Sequence, residues 1–220
     1  ALLEQLRPQD VVSQWAREPV EKAATYGITT RTGNYQTPVD RETFCDMAIH
    51  VLSKSGVAVD EANDACAEAF AQGLVSDPQA DGQQLLTREQ TAVIVTRVLD
   101  KIGIVPQADL EVLDLYTDGD TISSWAIEAV SQVTATGLME GTDGRFDPQD
   151  TVTTEQAIAL LVKVYEAPAP AITLNATQPA APVFAAAEPE PEACAASQLV
   201  VIGAENMMVS RTGLFQMVNK

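Results

Sequence analysis

Two apolar segments with helical spacing lie within residues 120–165, DTISSWAIEAVSQVTATGLMEGTDGRFDPQDTVTTEQAIALLVKVY. Turn-forming residues at 143–148 separate them. Gly137 closes the first segment, because glycine adopts the left-handed conformation that ends many helices. Thr153 opens the second, because its side-chain oxygen can accept a hydrogen bond from a free backbone N–H at a helix start. The stretch therefore predicts a helix–loop–helix unit.

The helix start of this unit occurs three times in the first 165 residues. Each copy has a capping residue followed by an acidic residue in the first helical turn, where the helix dipole favours negative charge. The copies are Asp40-Arg41-Glu42, Thr87-Arg88-Glu89 and Thr153-Thr154-Glu155. In the last two copies a glutamine comes next, which gives the spacing of a capping box.

Apolar residues behind these helix starts are spaced by three, four and seven positions, which places them on one helix face. The equivalent sets are Phe44, Ala48, Val51 and Leu52; Thr91, Val95, Val98 and Leu99; and Ala157, Leu161, Val164 and Tyr165. Three helices with matching apolar faces can bury those faces against one another. We therefore expect Phe44, Val95 and Leu161 to point into a shared interior.

Another helical segment precedes each of these helices. Trp15-Ala16 and Trp125-Ala126 are each followed, twelve residues after the tryptophan, by a glycine and an apolar residue. We expect the first of these helices to begin at about Trp15. In the middle copy Glu61-Ala62 occupies the place of the Trp-Ala pair, and Gly73 follows at the same distance. The loops between paired helices contain the glycines Gly33, Gly82 and Gly144.

Composition divides the chain near residue 166. Residues 1–165 are predicted to form an all-α domain of three helix–loop–helix repeats, at about residues 1–56, 57–105 and 112–165. Residues 166–197 are rich in proline and alanine, so we expect an extended, semi-rigid linker. Residues 198–220 are predicted to form a short β-forming tail that is too small to fold alone. This tail is either the start of a further domain or a segment that docks on neighbouring protein subunits.

Charge and residue types exclude several classes of function. Thirteen basic against 31 acidic residues give a net charge of −18, which argues against binding to nucleic acid or to an anionic membrane surface. No segment approaches the roughly 20 apolar residues of a membrane helix, so no membrane insertion is expected. A single histidine, His50, provides neither a catalytic triad nor a histidine-rich zinc site. We expect no catalytic residues, no metal site, no cofactor and no enzymatic activity.

The three cysteines leave two alternatives open. Cys45 and Cys66 lie on segments that are predicted to be neighbouring helices, so a disulfide between them is one alternative. Two buried thiols are the other, because free cysteine behaves as a small hydrophobic residue. Cys194 lies in the predicted linker.

Residues 120–165 resemble an S-layer homology repeat. That family's pattern opens with an aromatic-x-Asp motif, here Tyr116-Thr117-Asp118, and continues with Trp-Ala and a helix that ends in Gly-Leu. A glycine-containing loop with Phe-x-Pro then leads into the second helix start. Residues 10–54 are similar with a shorter loop, and residues 58–103 are similar but degenerate. The resemblance implies three repeats in a pseudo-threefold helical arrangement within one chain.

The resemblance also implies a function, namely non-covalent attachment at the cell surface or cell envelope. The ligand would be wall polysaccharide, often with acidic or pyruvylated sugars, bound in grooves between repeats. The family uses the arginine of the helix start, a role that carries over to Arg41 and Arg88. Trp15 and Trp125 match the family's tryptophan. We therefore expect these four residues to bind polysaccharide.

The residues themselves support part of this implication. A cation at the first position of a helix is unfavourable for the helix dipole, but beside free N–H groups it makes an anion site. Thr154 replaces the arginine in the third copy and Glu61 replaces the tryptophan in the middle copy, which weakens the grooves there. Two other interpretations are that the arginines pair with nearby acids and that both tryptophans belong to the core.

A second functional interpretation is a structural subunit of a large assembly, such as a surface lattice or a virion. In that case the linker and residues 198–220 dock on neighbouring subunits. The tail that cannot fold alone favours this interpretation.

Overall fold

The computed structural model describes residues 11–29, 32–77 and 81–167. This part of the chain is helical and contains no strand, as the all-α prediction requires. The α-helices are α1 (Arg17–Tyr26), α2 (Arg41–Lys54), α3 (Ala65–Ala71), α4 (Arg88–Lys101), α5 (Ile127–Ala135) and α6 (Thr154–Glu166). Short 3₁₀ helices occur at Gln14–Ala16, Leu110–Leu115 and Gly119–Thr121. No helix among the described residues is long and apolar enough to cross a membrane. The predicted linker beyond residue 167, the tail and Cys194 lie outside the described residues.

The predicted caps of α2, α4 and α6 are confirmed. The Asp40 carboxylate accepts a hydrogen bond from the Thr43 N–H at 2.8 Å. At α4 and α6 the capping boxes form in both directions, between Thr87 and Gln90 and between Thr153 and Gln156. Each cap satisfies a backbone donor that a helix start leaves without an internal partner, which is worth about 1 kcal/mol.

The helix that precedes α2 starts two residues after the predicted start at about Trp15. Trp15 lies in a 3₁₀ turn, and α1 begins at Arg17, so Pro19 is in the first turn, where its missing N–H costs nothing. In the middle copy α3 begins only after Asp64, which caps the Ala67 N–H at 2.9 Å. The reason is that Asp64 offers a capping oxygen, whereas Glu61 does not. Gly27 follows α1 with φ of 71°, as expected of a glycine that ends a helix.

The predicted helix faces are buried. Phe44, Val95 and Leu161 are all 0% exposed, and α2, α4 and α6 contact one another. The loop aromatics Tyr35 and Phe146 are buried as well. Among the remaining predicted positions, Tyr165 is half-buried. The first helix of each helix–loop–helix pair packs on a helix of another pair: α1 on α6, α3 on α2 and α5 on α4.

Three buried residues, one before each of α2, α4 and α6, join in a closed ring of backbone hydrogen bonds. The Val39 N–H donates to Val152 O at 2.8 Å, Val152 N–H to Leu86 O at 3.1 Å, and Leu86 N–H to Val39 O at 3.2 Å. All three side chains are at most 2% exposed. The ring ties together three loops that are far apart in sequence.

Asp118 anchors the loop before α6. Its carboxylate is 5% exposed and accepts hydrogen bonds from the backbone N–H groups of Phe146 at 2.9 Å and Asp147 at 2.8 Å. Burial on its own raises the pKa of this carboxyl, but the backbone donors and nearby Arg145 outweigh it and hold the pKa below its ordinary value of 3.8. The charged carboxylate is therefore the form that the folded loop binds.

Asp118→Ala is expected to lower the free energy of unfolding by about 2–4 kcal/mol at pH 7, because it leaves two buried N–H donors without an acceptor. Since the folded-state pKa is depressed, the contribution of Asp118 is fully present above pH 4 or so and is lost as pH falls through the folded value. Urea unfolding at pH 7 and pH 3 measures both effects. The wild type should lose more stability between these pH values than Asp118→Asn, which keeps the shape and cannot ionise. Equal losses would contradict this account.

Candidate functional site

The first backbone N–H groups of α2, α4 and α6 are occupied by carbonyl oxygens from a loop distant in sequence. At α4 the N–H of Arg88 donates to Asp150 O at 2.8 Å, and that of Glu89 donates to Pro148 O at 3.1 Å. The other pairs are Arg41 N with Gln84 O (2.9 Å), Glu42 N with Gly82 O (2.9 Å), Thr154 N with Thr37 O (2.8 Å) and Glu155 N with Tyr35 O (2.8 Å). The prediction that free N–H groups form an anion site beside the arginines is therefore wrong, because folding supplies each helix start with a loop.

The Arg88 side chain lies over a buried aromatic ring and bonds to backbone carbonyls. Its Nε donates to Phe146 O at 2.7 Å and its Nη2 to Glu140 O at 2.9 Å, and its Cζ is 4.8 Å from the Phe146 ring centroid. No carboxylate of the described residues lies within 4 Å, so the alternative that Arg88 pairs with an acid is wrong there. Burial lowers the pKa of the Arg88 guanidinium. These two bonds engage two of its five N–H donors.

Arg41 is held differently. Its Nη2 donates to Gln84 Oε1 at 2.8 Å, and its buried Nε has no hydrogen-bond partner among the described residues. Within the same part of the chain it also forms no ion pair with a carboxylate. The alternative of acid pairing is therefore wrong for Arg41 too.

Both tryptophans are on the surface. Trp15 is 55% exposed and Trp125 is 43% exposed, so the alternative that they belong to the core is wrong. The physical reason is that Ala16 and Ala126, both 0% exposed, occupy the interior next to them. A large aromatic surface at this position is available to a ligand.

Two buried glutamates, which the sequence analysis did not single out as site residues, fix the tryptophan segments. Glu155 accepts hydrogen bonds from Ser13 N–H at 3.0 Å and Ser13 Oγ at 2.6 Å. Glu89 does the same for Ser123, at 3.0 and 2.9 Å. Each serine lies two residues before its tryptophan. The repeated Ser-x-Trp-Ala pattern was a signal that could have revealed these pairs.

The middle copy lacks this arrangement. Val59 stands where the serine would be, two residues before Glu61. Glu42, the equivalent of Glu155 and Glu89, is exposed and accepts instead from Gln83 Nε2 at 3.0 Å. The start of α2 therefore has neither an exposed tryptophan beside it nor a glutamate–serine pair that would hold one.

The fold brings Trp15 and Arg88 to one groove of about 440 Å³, which we call the Trp15 groove. Trp15, Glu18 and Lys22 line it from the α1 side, and Arg88 and Glu140 line it from the other side. The exposed face of α6 lies between them and includes Gln156, Ala159, Lys163 and Glu166. Trp125, Arg41 and the loop glycines Gly33, Gly82 and Gly144 do not line this groove.

The loop glycines shape the backbone. Gly33 and Gly144 have φ of 89° and 73°, a conformation that other residues rarely adopt. Gly82 approaches Glu42 closely, and a Cβ atom there would lie 3.2 Å from the Glu42 Cβ. Their contribution is to let the loops reach the neighbouring helix starts.

Charges of both signs line the Trp15 groove. Lys22 Nζ lies 3.1 Å from both Glu18 and Glu166, so its charge is matched. The Tyr26 hydroxyl donates to Glu166 at 2.7 Å, and this bond, followed by the Lys22 contact, lowers the pKa of Glu166. Arg88 and Lys163 have no carboxylate within 4 Å among the described residues. Glu140 adds a carboxylate that can accept hydrogen bonds from hydroxyl groups.

Other candidate residues have structural roles. Cys45 and Cys66 are free and buried, so the disulfide alternative is not realised. Burial raises the pKa of the Cys45 thiol to about 12 and also raises that of Cys66, which keeps both thiols protonated. His50 Nδ1 lies 2.7 Å from Asp46 O. No group of three or more His, Cys, Asp or Glu residues suited to a metal ion occurs in residues 11–29, 32–77 and 81–167.

Residues 115–158 match the family model of the S-layer homology domain. The match includes α5, the Phe146 loop and the start of α6, and it supports this family for that segment. The domain is in general a non-catalytic module that anchors proteins at the cell wall by binding secondary cell-wall polymers. It implies a protein of the cell surface or envelope. The comparison with curated proteins found no match.

Proposed function

We propose that this chain is a non-catalytic module that anchors its protein to the cell envelope by binding acidic or pyruvylated wall polysaccharide in the Trp15 groove. The observation that carries the proposal is the meeting of Trp15 and Arg88 in one groove, although they are 73 positions apart in the sequence. The domain match is the second support, because its family binds wall polymers.

The proposed architecture is three repeats in a pseudo-threefold arrangement over residues 1–165. The closed ring of Val39, Leu86 and Val152 supports it, because three equivalent loops then meet at one axis. The helix starts give further support. The loop before α4 binds the start of α2, the loop before α6 binds the start of α4, and the loop before α2 binds the start of α6. Such a cyclic relation closes only with three members.

The charge of Arg88 favours an anionic ligand. Its guanidinium is partly desolvated, which lowers its pKa, and no carboxylate of the described residues forms an ion pair with it, while Asp147, Asp150 and Asp118 attract it from beyond 4 Å. Arginine can bind a carboxylate with two parallel hydrogen bonds. This local interaction outweighs the overall negative charge, because distant surface charges are screened by salt.

The rest of the groove suits a sugar chain. The exposed Trp15 offers an apolar face to the C–H groups of a sugar ring. Gln156 and Glu140 offer hydrogen-bonding groups to the ring hydroxyls.

Trp125 and Arg41 are proposed to form a second groove, on α4. The Glu89–Ser123 bonds hold the Trp125 segment at the start of α4 as the Glu155–Ser13 bonds hold Trp15 at the start of α6. The Arg41 Nε is buried and has no hydrogen-bond partner among the described residues, so the proposed contact with a ligand falls to the other donors of its guanidinium. In the proposed arrangement Glu61 and Thr154 lie at a third groove, which has neither an arginine nor a tryptophan at the equivalent positions. The alternative of docking through residues 198–220 gains no support from the described residues.

Retention on purified wall polysaccharide tests the proposed function. Trp15→Ala should weaken binding by about 2 kcal/mol, roughly 30-fold, because a central exposed tryptophan is the kind of residue that dominates an interface. Leu115→Ala is the control, since Leu115 is 69% exposed and lies outside the groove. The proposal fails if the wild type is not retained, or if both variants bind as the wild type does.

A further inference from the structure

One face of α6 runs along the Trp15 groove for most of the helix. Gln156, Ala159, Lys163 and Glu166 follow at spacings of three and four, which places them on that face. From Gln156 to Lys163 the helix rises about 10 Å. The Arg88 guanidinium binds Glu140 O, and Lys163 Nζ, in the last turn of α6, contacts Gly137 O, three residues before Glu140 in the chain. Both cations therefore border the segment that follows α5.

Lys163 carries a charge that the groove does not neutralise. Its Nζ is 3.4 Å from Gly137 O, at the long limit of a hydrogen bond, and no carboxylate of the described residues is within 4 Å. Lys22, the other lysine of the groove, is held between Glu18 and Glu166. An ammonium group has three donors, so Lys163 can bind a ligand while keeping its carbonyl contact.

The equivalent positions show what a purely structural role looks like. Nine residues after Arg88 is Arg97, which is half-buried and donates to Leu74 O at 2.9 Å, just after α3. Nine residues after Arg41 is His50, which bonds to Asp46 O on its own helix. Lys163 is exposed, and its carbonyl contact is longer than that of Arg97 by half an ångström. Binding a carbonyl group just after a neighbouring helix is therefore a sufficient role for Arg97, but a less complete one for Lys163.

We propose that Lys163 Nζ binds an anionic substituent, carboxylate or phosphate, on the polysaccharide in the Trp15 groove, as a second cationic contact besides Arg88. This inference rests on the proposed function and specifies its ligand. The polysaccharide then meets two cations of the groove, Arg88 and Lys163. Lys163 determines which anionic chains the groove retains.

The experiment compares Lys163→Ala, Lys163→Arg and Lys101→Ala for binding to purified wall polysaccharide. Lys101 is an exposed lysine in the last turn of α4 and lies outside the groove, so it controls for the loss of one charge. The polymer is used untreated, after reduction of its carboxyl groups, and after removal of its phosphate groups. Lys163→Ala should bind the untreated polymer about tenfold more weakly, Lys163→Arg within about threefold, and Lys101→Ala like the wild type.

If Lys163 binds carboxylate, Lys163→Ala and the wild type should bind the carboxyl-reduced polymer equally well. If it binds phosphate, the two proteins should bind the phosphate-free polymer equally well. The wild type should also lose affinity more steeply with salt than Lys163→Ala does. The inference is overturned if Lys163→Ala binds the untreated polymer normally while Trp15→Ala does not. It is likewise overturned if Lys163→Ala loses the same factor on all three polymers with a lower urea midpoint, which is the mark of helix capping. Lack of binding by the wild type defeats the proposed function itself.

Discussion

Glu155→Ala is expected to lower the affinity of the Trp15 groove for wall polysaccharide about tenfold, whereas the matched change Glu89→Ala leaves it within about twofold. Glu155 holds Ser13, two residues before Trp15, through two hydrogen bonds. Without them the tryptophan segment is no longer fixed on α6, and the ligand must bear the cost of ordering it. Glu89 holds Ser123 and the Trp125 segment instead.

The measurement uses Trp15 as its own reporter. The chain has two tryptophans, so a Trp125→Phe background leaves Trp15 as the sole source of tryptophan fluorescence. The change in fluorescence on titration with wall polysaccharide then measures binding at the Trp15 groove and does not detect ligand bound near position 125. If Glu155→Ala and Glu89→Ala weaken this titration equally, the groove does not depend on the Glu155–Ser13 pair.

The same variants should both lose stability. Both carboxylates are nearly fully buried, at 5% and 2% exposure, and hydrogen bonds to charged groups contribute about 1.5–3 kcal/mol each when buried. Glu155→Ala removes two such bonds, and Glu89→Ala removes a third as well, from Gln149 Nε2 at 2.7 Å. We therefore expect each alanine variant to lose at least about 3 kcal/mol in urea unfolding. Glu42→Ala, at the exposed equivalent position on α2, should change stability by less than about 0.5 kcal/mol. If Glu89→Ala loses at least as much stability as Glu155→Ala but keeps its affinity at the Trp15 groove, the binding defect of Glu155→Ala is not a consequence of lower stability.

Phe146→Ala should lower the free energy of unfolding by about 3–5 kcal/mol, because it empties a fully buried aromatic site. The ring lies 5.5 Å from the ring of Tyr116 and 4.8 Å beneath the Arg88 guanidinium. Both contacts are lost together with the volume of the side chain. A loss of this size is a large part of the 5–15 kcal/mol that a typical domain has in total.

Phe146→Leu keeps the prediction measurable if the alanine variant does not fold. Leucine fills most of the site, so we expect a loss of about 1–2 kcal/mol in urea unfolding. It removes the aromatic face beneath Arg88, an interaction worth about 0.5–2 kcal/mol, so polysaccharide binding should fall even in the folded protein. An alanine variant as stable as the wild type would show that Phe146 does not anchor the loop.

Local signals in the sequence predicted the helices and their buried faces. Asp40, Thr87 and Thr153 cap helices because a capping oxygen needs only the three residues that follow it. Burial of Phe44, Val95 and Leu161 followed from apolar spacing along one helix. Periodicity was less informative for α3, where Asp64 rather than Glu61 set the start.

The sequence by itself therefore determined the all-α class, the caps of the main helices and the residue types available to a ligand. The tertiary structure alone decided that Trp15 meets Arg88, that Glu155 and Glu89 hold the tryptophan segments, and that the helix starts beside Arg41 and Arg88 have no free N–H groups. The physical reason is the distance along the sequence between the residues that determine each feature. Caps and helix faces depend on neighbours within a turn or two, whereas the groove depends on which distant loop reaches which helix start, and that is settled only when the ring of Val39, Leu86 and Val152 closes.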